Sequence, residues 1–134
     1  MTDFPHIDKP SPVTDVPIIQ DRPQDRRITA LWPLRNVHSR LDGDGIEYAV
    51  LTVTHSTSRR AYGARINRQQ HFSRTTRMAP FDALPVGRLT PTGRFSHKSL
   101  HTAFTAALQT LRAEIAAGDQ QLAAFFTPSA TDPS

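Results

Sequence analysis

Between Ile46 and His55 the chain alternates two sets of side chains, Tyr48, Val50, Thr52 and Thr54 against Ala49, Leu51 and Val53. A period of two is that of a strand, and a run that is apolar or β-branched on both faces suits a central one. Before it, from Ile28 to Leu41, Ile28, Ala30, Trp32 and Leu34 share one face, with Arg35, Val37 and Ser39 on the other. Pro33 cannot donate to a ladder, so it predicts an edge position or a bulge. Asp42-Gly43-Asp44-Gly45 supplies the glycines of a tight hairpin turn. After a turn at Ser56-Thr57-Ser58, residues Ala61 to Ser73 read as a third strand. It puts Tyr62, Ala64, Ile66 and Phe72 inward and Arg65, Asn67, Gln69 and His71 outward. Residues 74–79 suggest a further strand. Pro80, Pro85 and Pro91 interrupt the next stretch of chain, leaving Val86 to Thr90 as a short edge strand.

The pattern then changes period. From His97 to Ala116, Leu100, Phe104, Ala107, Leu108, Leu111 and Ile115 recur every three or four residues, which predicts an amphipathic helix. Ser96 is placed to cap its first turn and Gly118 to end it. Asp119 to Phe126 adds a short helical turn. The expected fold is therefore α+β: an antiparallel meander of three to five strands with the helix packed on one face.

The ends set the domain limits. Pro5, Pro10, Pro12, Pro17 and Pro23 stand among Asp, Thr and Ser, so residues 1–26 are expected to form a disordered arm. The apolar run Val16–Ile19 is the exception and suits a groove or a sheet edge. Residues 27–118 form the domain, and 119–134 a short helical turn with a flexible tail. Both ends offer few core residues, so a chain trimmed to 26–118 is expected to fold.

Composition narrows the chemistry. The 134 residues contain no cysteine, which removes disulfides, thiolate metal sites and a cysteine nucleophile, and points to the cytoplasm. No apolar run approaches the length of a membrane span, and the amino terminus lacks the basic flank and apolar run of a secretory signal. The net charge of +4 is carried by fourteen arginines and only two lysines.

These charges are unevenly spread. From Arg59 to Lys98 stand Arg59, Arg60, Arg65, Arg68, Arg74, Arg77, Arg88, Arg94 and Lys98 against one acid, Asp82, a net of +8, while the rest of the chain carries −4. The planar guanidinium pairs with phosphate or carboxylate through two parallel hydrogen bonds. These nine residues are the candidate anion-binding set. A solvated face in an arginine-biased chain explains them equally well.

Other constellations are weaker. His97 and His101, four apart on the helix, have chelating spacing, and His38, His55 or His71 could add a third ligand. Lys98 stands where a zinc protease needs its glutamate, and the pair reads as surface or capping histidines. Asp42, Asp44 and Glu47 resemble part of a calcium loop but fit a hairpin turn. No nucleophile elbow, phosphate-cradling glycine loop or isolated acid pair is present. No metal, cofactor or catalytic residue is therefore expected.

The expected function is a small non-enzymatic protein binding the backbone of a nucleic acid, able to act as a homodimer. The alternatives are a module docking an acidic protein and a small-ligand or enzymatic α+β domain with a pocket between sheet and helix.

Overall fold

The two-sided apolar alternation around Val50 is carried by the longest strand of the sheet. The computed structural model describes residues 16–39, 43–72, 76–78, 84–85 and 93–127, with side chains over 16–34, 45–71 and 93–127. In it β3 (Gly43–Ser56) runs between β2 (Arg27–Ser39) and β4 (Ala61–Phe72), antiparallel to both. β1 (Ile18–Arg22) pairs with the first residues of β2, from Ile18 opposite Leu31 to Arg22 opposite Arg27. The result is a β1-β2-β3-β4 meander. Two short strands, β5 (Thr76–Met78) and β6 (Leu84–Pro85), pair with β4 at Gln69–His71 and Arg65–Ile66. With the helices α1 (His97–Ala116) and α2 (Gln120–Ala124), the architecture is α+β.

One face of the sheet shares a core with α1. Ile28, Ala30 and Trp32 of β2, Ala49, Leu51 and Val53 of β3, and Tyr62, Ala64 and Ile66 of β4 are buried in one cluster with Leu100, Ala103, Phe104, Ala107 and Leu111 of the helix. The register explains the set: Ala30, Leu51 and Ile66 lie side by side across three strands. Each large side chain so buried contributes about 1.5–3 kcal/mol.

The helix ends are set by local chemistry. Ser96 is extended, and its hydroxyl accepts from the Ser99 amide at 3.0 Å, satisfying a donor the first turn leaves open. At the other end Gly118 takes φ +100°, its amide bonding to the Ile115 carbonyl while that of Asp119 bonds to Glu114. That paired arrangement closes the last turn and needs a residue that tolerates positive φ.

Pro33 also sits where its chemistry demands. β1 reaches only to Leu31, so among the described residues β2 is an edge strand beyond that point, and its register with β3 shifts between Pro33 and Arg35. Leu34 still packs against the core as expected, but past the shift Arg35 stands opposite Glu47, so the alternation does not continue through Arg35.

Two expectations for the ends are corrected. Residues 18–22 are not part of a disordered arm: they form the edge strand that the Val16–Ile19 run allowed, pairing backbone groups of β2 that would otherwise face water. The hairpin closes through a 3-10 turn, Pro23–Asp25, with Arg26 left-handed at φ 53°. The carboxy-terminal end carries the expected short helical turn, α2, but gives more to the core than expected. Leu122 and Phe126 are each 2% exposed, and the Phe126 ring stands edge-on to Trp32 with centroids 5.0 Å apart. The segment Val86–Thr90 lies outside the described residues. Among the described residues no helix is long and apolar enough to cross a membrane.

Candidate anion-binding surface

The hairpin joining β1 to β2 and the turn joining β3 to β4 emerge at the same end of the sheet, and α1 begins there. Three links hold that end together. The His55 amide bonds to the Arg26 carbonyl at 3.0 Å, the Gly93 amide to the Arg60 carbonyl, and the His55 Nε2 lies 2.9 Å from the Gly93 carbonyl. His55 is buried, packing edge-on against Tyr62 and tilted against Phe95. Arg60 is left-handed at φ 49°, which turns the chain sharply and brings its carbonyl to Gly93.

Those links bring together arginines distant in sequence. Arg22, Arg26 and Arg27 come from the first hairpin, Arg59 and Arg60 from the second turn, and Arg94 from the lead-in to α1. All six are exposed, as is Lys98 in the first helical turn. Arg26 stacks over the Phe95 ring at 5.4 Å. Asp25 pairs with Arg27 at 3.6 Å, but both side chains are 45% exposed, and such a surface pair contributes at most about 1 kcal/mol. Arg27 therefore remains able to exchange this partner for a stronger anion.

The surface continues onto the sheet face opposite α1. Alternation sends Gln20 and Arg22 of β1, Arg27 and Thr29 of β2, Thr52 of β3, and Arg65, Asn67, Gln69 and His71 of β4 to this side. Among the strand positions whose side chains are described, none on this face is acidic. A shallow cavity of about 320 Å³ runs across it from Arg22 and Arg27 to Gln69 and His71, floored by the buried Leu31 and Val50. His71 stacks edge-on against Tyr48, centroids 5.0 Å apart, and its Nε2 is 3.2 Å from the side-chain oxygen of Gln69.

The nine candidates thus separate. Arg59, Arg60, Arg94 and Lys98 lie at the basic end, and Arg65 is exposed on the open face. Arg68 belongs to neither. It is 5% exposed on the helix side of β4, its guanidinium against Glu47 and the carbonyls of Ala124 and Thr127. Arg74 and Arg88 lie outside the described residues, as does the side chain of Arg77, whose backbone is in β5.

Sequence reasoning missed Arg22, Arg26 and Arg27 because it assigned two of them to the arm and weighed only the segment after Arg59. The strand parity of Arg68 with Tyr62, Ala64 and Ile66 was the signal of its burial. No family model matches the chain, and no significant match to a curated protein or a solved structure was found.

Proposed function

We propose that the protein is a non-enzymatic binding module for single-stranded nucleic acid, held by its phosphates at the basic end and laid across the open face of the sheet. The observation that carries this reading is the convergence of six exposed arginines, Arg22, Arg26, Arg27, Arg59, Arg60 and Arg94, from three separate chain segments. Each offers a phosphate a forked pair of donors. The neighbouring face adds Gln20, Thr29, Thr52, Gln69 and the Tyr48–His71 ring pair, groups suited to sugars and unpaired bases. An acidic peptide would satisfy the arginines but leave the ring pair and the amide-rich face without a role.

The test is a fluorescence anisotropy titration with labelled single-stranded DNA and RNA of mixed sequence at ~50 mM salt, competed by duplex DNA and by polyglutamate. Saturable binding displaced better by unlabelled single strands than by polyglutamate supports the reading. Folded protein that binds neither nucleic acid overturns it in favour of an acidic protein partner.

A further inference from the structure

The core-side face of β1 carries a second constellation, independent of the arginines. Gln20 and Arg22 point to the open face, so Asp21 between them points toward α1, opposite Ile28. The helix begins above it. His97 and His101, one helical turn apart, lie on the same side, their rings edge-on with centroids 4.7 Å apart. Three donor atoms therefore converge: His97 Nε2 and His101 Nε2 are 3.1 Å apart, and Asp21 Oδ2 lies 3.2 Å from the first and 2.6 Å from the second.

We propose that Asp21, His97 and His101 form a binding site for a divalent transition metal ion, zinc in the first instance. Donors about 2.0–2.1 Å from a tetrahedral ion stand about 3.3 Å from one another. Two edges of the triangle already match, and the third needs only a small rotation of an exposed carboxylate. Two imidazole nitrogens turned toward each other at 3.1 Å cannot each donate to the other, whereas one cation accepts both lone pairs. The donor set also selects the ion. Two nitrogens and one carboxylate suit zinc and its neighbours and are poor for magnesium or calcium, which take oxygen shells.

Lys98 and the positive amino end of α1 oppose a cation, which weakens the site. The three side chains are exposed, so water would complete the shell. Hydrolysis is not implied, since Lys98 occupies the position of the zinc-protease glutamate. The ion instead ties the edge strand to a helix 76 and 80 residues further along the chain. Like other metals that bridge distant segments, it would stabilise the folded state by binding there alone.

The experiment is isothermal titration of the tag-free full chain with zinc chloride, repeated with cobalt(II) to read coordination from its visible absorption. Expected are one ion per chain and cobalt bands typical of tetrahedral nitrogen and oxygen donors. His97→Ala, His101→Ala and Asp21→Ala should each weaken binding about tenfold or more, while His71→Ala leaves it unchanged. All three ligands are exposed, so circular dichroism of the variants should match the parent and separate loss of binding from loss of fold. Zinc bound with undiminished affinity by the His97→Ala/His101→Ala double variant, or no binding at about 100 μM metal, overturns the proposal.

Discussion

Arg68 and Glu47 face each other on the helix side of the sheet, Nη1 to Oε2 3.3 Å, with side chains only 6% and 1% exposed. They stand on neighbouring strands, out of step with the pairing, since Ala49 is opposite Arg68 and Gln70 opposite Glu47. The guanidinium also donates to the Ala124 and Thr127 carbonyls at the end of α2. Removing one member of a buried pair strands the other charge, which costs about 3–5 kcal/mol, whereas replacing both with apolar groups of similar size is often neutral. Arg68→Met should therefore lose about that much stability, and Arg68→Met combined with Glu47→Leu should regain most of it. Denaturant unfolding of the two variants checks this. Under conditions where Arg68→Met is folded, its nucleic-acid affinity should equal the parent's, because the side chain does not reach the surface.

The same carbonyls make the carboxy-terminal segment part of the fold. A chain ending after Gly118 loses Leu122, the Trp32–Phe126 contact and two acceptors of Arg68 at once. Phe126→Ala alone should cost about 3–5 kcal/mol, and truncation after Gly118 should cost more. A truncated chain with the parent's unfolding midpoint would contradict the packing of α2.

Within α1 the structure separates positions that share one stripe. Leu111 and Leu100 are fully buried and Phe104 nearly so, while Leu108 is only partly buried at the margin. Phe104→Ala and Leu111→Ala should each lose about 2–5 kcal/mol, and Leu108→Ala distinctly less. Equal losses at Leu108 and Leu111 in urea unfolding would mean the helix is rotated from this placement.

What was legible in the sequence had local causes. The helix could be read to its terminal residues because its stripe, the Ser96 cap and Gly118 all act within a few positions. The β2, β3 and β4 runs were legible because alternation records which side faces the core. β1 was obscured by its flanking prolines and by a short run whose partner, not its composition, makes it a strand. The metal-ligand candidate shows the same limit. His97 and His101 announce themselves by spacing, yet the third donor is Asp21, brought in by strand pairing from a segment expected to be disordered. The arginine surface was only partly visible for a related reason: Arg26 and Arg60 are joined to the rest by backbone bonds to His55 and Gly93, which no local pattern encodes.

Salt dependence gives the proposed function its sharpest number. Each phosphate neutralised on a single strand releases counterions and adds about −0.7 to the slope of log affinity against log salt. Six arginines spread over one end and the adjoining face will not all engage at once. Engagement of about four phosphates predicts a slope near −2.8, so raising salt fourfold should weaken binding roughly 50-fold. Arg59→Ala with Arg60→Ala removes two exposed guanidinium groups from a turn whose side chains are not in the core, so the fold should survive. The slope should then flatten by about 1.4 if both contact phosphate, with sequence preference little altered. Arg22→Ala with Arg27→Ala should act in the same direction, a result that reading the segment after Arg59 alone would not anticipate. Anisotropy titrations at several salt concentrations measure all three slopes. Unchanged slopes in both double variants, with binding intact, would move the contact away from this end of the sheet.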